Sequence, residues 1–353
     1  SVVLVTGASG YVASHVVLNL LKKGFRVRGT VRSLKNAAKI DPIRKLDVDG
    51  RLELVEADLM KEAGWANAVS GCDFVLHVAS PFPMVADETV VTTAINGTLN
   101  VLKAAAKCPS VQKVVLTSSV YSINEGHDQN RTFNEEDWTN LEDKRVDLYA
   151  KSKTMSEREA WKFHKEIPDG DNKFRLTSIN PVLVIGPPLI DEQGSSISII
   201  RQLLQHEMPA CPPIQIALVD VRDVAEMHVR AMLNQEADGH RFITASQPSY
   251  WFKDISRVLG KEFKEHGYCT PCLEAPVVRF MGIFDKQAAS AVDRLNNEIK
   301  FDNSKAQRML GMSFRDPSES LKEMGYVCIQ RGIVKKNKNY KGCPEKYKEF
   351  VKH

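Results

Sequence analysis

The chain has 353 residues, 43% of them hydrophobic and 26% charged, which is the balance of a globular protein with a large core. Lys+Arg 48 against Asp+Glu 44 leaves a net charge of +4, too mild to argue for a nucleic-acid surface. No apolar run of about 18 residues is present, so no membrane-spanning helix is expected, and seven scattered cysteines suit a reducing, cytoplasmic compartment.

The chain begins directly in an apolar run, Val2 to Val5, which leaves no room for a signal peptide in the residues given. The run breaks at Thr6-Gly7-Ala8-Ser9-Gly10, and a helical pattern follows from Tyr11 to Lys23. The spacing Gly7-x2-Gly10-x2-Ala13 has a physical reading. Gly7 permits a sharp turn, Gly10 lets a pyrophosphate approach the backbone, and Ala13 keeps the helix close to the sheet. Further strands are expected at Phe25–Val31, Leu52–Ala57, Asp73–Val78 and Val111–Thr117, with helices at Asn36–Asp47, Glu62–Ser70 and Glu88–Lys107. In the last helix Val91, Ala94, Ile95, Leu99, Leu102 and Ala106 form the apolar stripe. Strands alternating with helices at this spacing predict an α/β fold, a parallel sheet covered on both faces. Ligands of such sheets bind at the C-terminal strand ends, where Gly7, Arg32, Asp58, Ala79 and Ser119 all fall.

A polar loop from Asn124 to Arg145 leads into a helix from Asp147 to Glu166, then a buried strand from Leu176 to Val184. Beyond Gly186-Pro187-Pro188 the prolines at 209, 212, 213, 248, 271 and 276 predict short elements of a smaller lobe. Val219–Met232 and Arg241–Thr244 read as a helix and strand of the main domain, and Asn303–Leu310 and Ser318–Arg331 as closing helices. The segment from Lys335 to His353 holds seven lysines and reads as a solvated, frayed end. Cys269-x2-Cys272 is the one close cysteine pair; with no second ligand pair near it, two ordinary thiols are expected and no metal.

Ser119, Tyr149 and Lys153 carry the chemistry. Tyr149 and Lys153 stand four apart at a helix start and share one face. A lysine ammonium beside the phenol is expected to lower its pKa from about 10 towards neutrality, and such a tyrosine can protonate a carbonyl oxygen as hydride reaches the carbon. Ser119, at the end of the fifth strand, can hold the same oxygen in line.

These residues, with Val27-Arg28-Gly29-Thr30-Val31-Arg32, His77-Val78-Ala79-Ser80-Pro81, Tyr149-Ala150-Lys151-Ser152-Lys153 and Asn180 to Pro187, are similar to extended short-chain dehydrogenase/reductases. The branch resembled is that of dihydroflavonol reductase, cinnamoyl-CoA reductase and related aldehyde or ketone reductases, over nearly the whole chain. The resemblance implies a Rossmann-type doubly wound parallel sheet with a smaller C-terminal substrate-binding lobe. It implies a catalytic triad of Ser119, Tyr149 and Lys153. Gly7, Ser9, Gly10 and the backbone of Tyr11 and Val12 would take the pyrophosphate, Asp58 and Leu59 would flank the adenine, and Val78, Ala79 and Ser80 would line the ribose. Pro181, Val184 and Ser196 would sit near the nicotinamide. Two features depart from the pattern. The asparagine many members place on the fourth helix falls at Ala94, and the segment from Asp143 to Leu148 lacks the cinnamoyl-CoA reductase signature.

Arg32 and Lys39 follow the second strand where NAD-specific sites place an acid, so NADP(H) is the expected cofactor. The expected organisation is a dinucleotide domain over 1–187 with 214–247 returning to it, a lobe from 188–213 and 248–334, and a basic tail from 335. The lobe offers Ile197, Ile199, Ile200, Leu203, Leu204, Val277, Val278, Phe280, Met281, Ile283 and Phe284 and no arginine cluster, so the expected partner is a small, largely apolar aldehyde or ketone. Asn124, five residues after Ser119, sits where dihydroflavonol reductases read ring hydroxyls. The function expected is an NADPH-dependent carbonyl reductase. A 3β-hydroxysteroid-type dehydrogenase, a dihydroflavonol reductase and a non-catalytic NADP-sensing protein are the alternatives.

Overall fold

The computed structural model describes residues 1–80, 89–170, 173–191, 194–274 and 294–351. In its first half it alternates β1 (Val2–Val5), α1 (Tyr11–Lys22), β2 (Arg26–Val31), α2 (Ala37–Arg44), β3 (Leu52–Glu56), α3 (Trp65–Val69), β4 (Phe74–His77), α4 (Thr89–Ala106) and β5 (Lys113–Thr117). Then come β6 (Thr132–Phe133), α5 (Leu148–Glu166), β7 (Arg175–Pro181), β8 (Leu183–Ile185), α6 (Ser195–Leu204), β9 (Gln215–Ile216), β10 (Leu218–Asp220), α7 (Val221–Leu233), β11 (Arg241–Thr244), β12 (Tyr250–Trp251) and α8 (Phe252–Phe263). The chain closes with β13 (Lys300–Phe301), α9 (Ser304–Leu310), α10 (Pro317–Gln330) and α11 (Lys348–Val351).

Seven strands pair in the order β11-β7-β5-β4-β1-β2-β3, all parallel. The order reverses between β1 and β4, which is where a doubly wound sheet opens a crevice. One face is packed by Val16, Val17 and Leu20 of α1 with Met227, Val229 and Ala231 of α7. The other is packed by Trp65, Val101, Leu102, Ala105 and Ala160. The strands are near-continuous apolar runs because both faces are buried.

Four local expectations are corrected. The strand read as Leu176–Val184 divides, with β7 on the large sheet and β8 leaving to pair with β10. Pro181 supplies the break, because it has no N–H to continue the ladder. The buried face of α4 is Val90, Ala94, Gly97, Thr98, Val101, Leu102 and Ala105, so the small polar Thr98 faces inward and Leu99 does not. The later prolines bracket helices more than they cut them: α8 lies whole between Pro248 and Pro271. It packs Ile255, Leu259 and Phe263 against Leu203 of α6 and Leu321 and Met324 of α10 in a second core. Finally, the tail docks. Val334 and Tyr347 are buried, the Tyr347 hydroxyl donates to Glu319 Oε2 at 2.8 Å, and its ring lies 5.1 Å from that of Tyr326. Lysine count concealed the aromatic anchors among them.

Candidate active site

Parallel register brings the ends of β1 to β5 to one edge, and the residues there are built for close approach. Gly7 adopts φ 65°, and a Cβ on it would stand 2.8 Å from the Cβ of Ala79, so the β1 and β4 ends can touch only with glycine there. The turn is tied by Gly7 N donating to Thr30 Oγ1 at 2.9 Å and Gly10 N to Gly7 O at 2.8 Å, with Ser9 half-buried between them. Gly10 is the extended N-cap of α1, with no side-chain cap and no acidic residue in the first turn. That end of the helix carries its positive dipole without an internal anion, and fits a dinucleotide pyrophosphate. The Tyr11 hydroxyl donates to Gly186 O at 2.7 Å, and Val12 wedges half-buried between two cores.

Arg32 and Lys39 are exposed, and neither side chain has a hydrogen bond or ion pair among the described residues. Asp58 Oδ1 accepts from Met60 N at 3.0 Å and Leu59 O from Asn100 Nδ2 at 2.9 Å, which fixes the turn after β3. After β4, Ala79 N donates to Thr6 Oγ1 at 2.9 Å, and Thr6 Oγ1 lies 2.8 Å from Nδ1 of buried His77. Val78 is half-buried and Ser80 exposed. Pro181 ends β7, Val184 is half-buried in β8, and Ser196 is buried in the first turn of α6. No hydrogen bond among the described residues joins Lys39 or Ser196 to the other expected site residues.

Ser119, Tyr149 and Lys153 meet at this edge. Asp147 caps α5 by accepting from Ala150 N at 2.8 Å, which sets Tyr149 and Lys153 on its first turns. Ser119 is buried, and its Oγ accepts from Tyr121 N at 3.2 Å, which leaves the hydroxyl proton to donate. Lys153 Nζ donates to Ser80 Oγ at 2.9 Å and stands 5.7 Å from the Tyr149 ring centroid. Burial holds this ammonium below its usual range, at about 8. The expected depression of the Tyr149 phenol is not found. The residue is 40% exposed, yet burial around its hydroxyl, then Tyr121 and the Asp147 carboxylate, push the phenol above its ordinary value. The ammonium is directed at Ser80 Oγ. Burial disfavours the charged phenolate, so the protonated form of the phenol is favoured here.

Sequence reading missed the support beneath. Glu157, fully buried one turn beyond Lys153, accepts from Ser118 Oγ and Ser122 Oγ at 2.5 Å each and from Asn180 Nδ2 at 2.9 Å. Its other oxygen takes Arg241 Nε at 2.7 Å. Arg241 also donates to Glu135 O and Asp137 O at 2.9 and 2.7 Å and lies 3.7 Å over the Trp138 ring. Asn180 Nδ2 donates to Ser119 O at 3.2 Å, so the network grips the backbone of Ser119. The signal in sequence was a glutamate at the helical interval after Lys153, indistinguishable there from a solvated one.

Ile197, Ile200, Leu203 and Leu204 pack in the core of the lobe, the ordinary reading of such apolar residues. Asn124 is buried and turned to its own loop, donating to Glu125 Oε1 at 3.0 Å. Pro81, Val277, Val278, Phe280, Met281, Ile283 and Phe284 lie outside the described residues.

The NAD dependent epimerase/dehydratase family matches residues 3–244, and the chain belongs to it. It is 36% identical to tetraketide alpha-pyrone reductase 1 of Arabidopsis thaliana over 93% of this chain and 94% of the relative. It is 37% identical to a cinnamoyl-CoA reductase of Medicago truncatula over 73% of this chain and 80% of the relative. Yeast methylglyoxal/isovaleraldehyde reductase Gre2, solved with NADPH, superposes with a TM-score of 0.76 at 27% identity, covering 94% of this chain and 98% of the other. The chain is an oxidoreductase of this extended short-chain family, and its cofactor is NADP(H). No described helix is long and apolar enough to cross a membrane.

Proposed function

We propose that the protein is an NADPH-dependent carbonyl reductase acting on a small aldehyde or ketone. What supports the reading is an arrangement at one edge of the sheet: Ser119 Oγ accepting from Tyr121 N with its own proton left to donate, Lys153 Nζ on Ser80 Oγ, and the partly exposed Tyr149, beside the glycine turn and Arg32. Residues 1–187 and 214–247 would hold the dinucleotide, and 188–213 with 248–334 would cover the substrate. Gly7, Ser9, Gly10, Tyr11 and Val12 would take the pyrophosphate and Arg32 with Lys39 the 2′-phosphate. Asp58 and Leu59 would flank the adenine, Val78 to Ser80 and Lys153 the ribose, and Pro181, Val184 and Ser196 the nicotinamide. The bound dinucleotide supplies hydride. Ser119 donates a hydrogen bond to the carbonyl oxygen and fixes its position. Tyr149 passes its proton to that oxygen as negative charge develops there, general acid catalysis by a group kept protonated. Lys153 keeps a positive charge near the phenolate that results and refills its proton from the solvent-exposed Ser80 side. Loss of NADPH absorbance with a panel of aldehydes and ketones tests this. No oxidation with any of them, at protein concentrations that bind NADPH, would reject it.

A further inference from the structure

The ring of Tyr121, two residues past Ser119, stands edge-on to that of Tyr149, with centroids 5.4 Å apart and planes at 81°. Arg294 reaches the same place from the far end of the sequence. Its Nη1 donates to the Tyr121 hydroxyl at 2.9 Å, its Nη2 to Glu125 Oε2 at 2.8 Å, and its guanidinium lies 5.1 Å from the Tyr121 ring centroid. The tyrosine is fixed from behind as well: Thr139 Oγ1 donates to Tyr121 O at 2.7 Å, and Thr154 Oγ1, on α5, donates to it at 3.2 Å. Glu125 is itself held, donating its N–H to Thr139 Oγ1 at 3.1 Å.

Two consequences follow from the chemistry of these groups. The charge of Arg294 is matched by Glu125, so the assembly is neutral and does not ask for an anion. Arg294 can only donate, so it occupies a lone pair of the Tyr121 oxygen and leaves that hydroxyl's own proton to donate elsewhere. A second phenolic donor is thereby presented beside Tyr149. We propose that Tyr121 is a specificity residue. Its hydroxyl, held by Arg294 and Glu125, donates to a second neutral oxygen of the substrate, and the preferred substrates are carbonyl compounds bearing a further carbonyl or ether oxygen close to the reacting one. This rests on the carbonyl reductase reading and names its substrate class. It adds one polar contact to the expectation of a largely apolar substrate.

Tyr121→Phe is the test, since it keeps the ring, its edge contact and the Arg294–Glu125 pair. The measurement is kcat/KM for 2,3-pentanedione divided by kcat/KM for pentanal, in the parent and in the variant. Intrinsic reactivity cancels between the two proteins. The ratio is expected to fall about tenfold or more, the worth of one well-placed hydrogen bond to a fixed donor. Arg294→Met should move it in the same direction by freeing the hydroxyl. A residue serving only as a clasp between segments would lower both rates and the melting temperature together and leave the ratio in place, which would overturn the proposal. Turnover of both compounds with an unchanged ratio rejects only the role of Tyr121, whereas no turnover of any carbonyl rejects the reductase reading beneath it.

Discussion

Tyr149, Lys153 and Glu157 follow one another at intervals of four along α5, and the two ends of that stripe meet opposite surroundings. At the top, Tyr149 is 40% exposed and its phenol has no hydrogen-bond partner among the described residues; at the bottom, Glu157 is fully buried with every lone pair engaged. A proton donor must keep a free proton and an open approach, so it cannot be locked by its neighbours. A buried carboxylate must be locked, because an unpaired charge there costs several kcal/mol. One helix serves both needs because Lys153, half-buried between them, faces the open edge through Ser80. On the proposed reading, reactivity and stability are separated by about two turns of helix, and substitutions at the two ends should fail in different ways.

The largest effect is expected at the open end. Tyr149→Phe removes one hydroxyl and keeps the ring, so kcat should fall by about 10²–10⁴ while melting temperature and NADPH affinity stay near the parent's. Retention of more than about a tenth of the rate would remove Tyr149 from the role of acid. The locked end should answer the other way. Glu157→Gln leaves Arg241 without its counter-charge in a buried site, an expected loss of about 3–5 kcal/mol of folding stability by urea titration. What activity survives should show the same pH dependence as the parent, since no titrating group of the site has changed. A Glu157→Gln protein as stable as the parent would break the contrast between the two ends.

A smaller effect belongs to the cofactor edge. Arg32→Ala should weaken NADPH by roughly 10–100-fold, the worth of charge-assisted hydrogen bonds to a phosphate, and NADH far less. Arg32 has no side-chain partner to lose among the described residues, so a change in stability is not expected to accompany it. Equal losses for both cofactors would place Arg32 outside the phosphate site.

The residues legible beforehand were those whose signal is local. Gly7 and Gly10 declare a turn, Tyr149 and Lys153 share a face by spacing alone, and alternating strands predict a parallel sheet. Glu157 and Arg241 are 84 residues apart, and neither is distinguishable in sequence from a solvated charge until the sheet places β11 beside β7. Arg294 and Tyr121 are 173 apart and met the same obstacle. The surroundings of the Tyr149 phenol were hidden for a related reason. Spacing puts Lys153 on its face, but the direction of a flexible ammonium is decided by Ser80, 73 residues away. The docked tail was hidden by its lysines, whose charge masked Tyr347, a residue that needed the remote Tyr326 ring to pack on.

The last contrast concerns acid, and it is carried by three buried histidines away from α5. Burial lowers His15 and His228 to about 4 each and His77 to about 3, the charge of Lys153 adding to burial at His77. Each is held by partners that suit the neutral ring. His228 Nδ1 lies 2.7 Å from Val224 O, which can only accept, so Nε2 must take the Thr117 hydroxyl at 2.6 Å. His15 Nε2 likewise faces Pro187 O at 2.9 Å. These folded-state values lie below the unfolded value of about 6.5, so at mildly acid pH the unfolded chain binds more protons than the native one. Stability from this source is complete above about pH 6.5 and is lost as pH falls towards 4, at up to about 1.4 kcal/mol per histidine for each pH unit. Between pH 7 and 5 the urea midpoint should drop, and His228→Gln should make the drop shallower even though it lowers stability at pH 7. Of the three, His77 is the one tied through Thr6 to Ala79 N among the described residues, on the side of the edge where the ribose is expected. Its replacement by Gln should therefore flatten the acid limb of NADPH binding as well as that of unfolding, while the His228 variant changes unfolding alone. If both variants move NADPH binding equally, the edge and the body titrate as one unit, and the separation seen along α5 does not extend across the sheet.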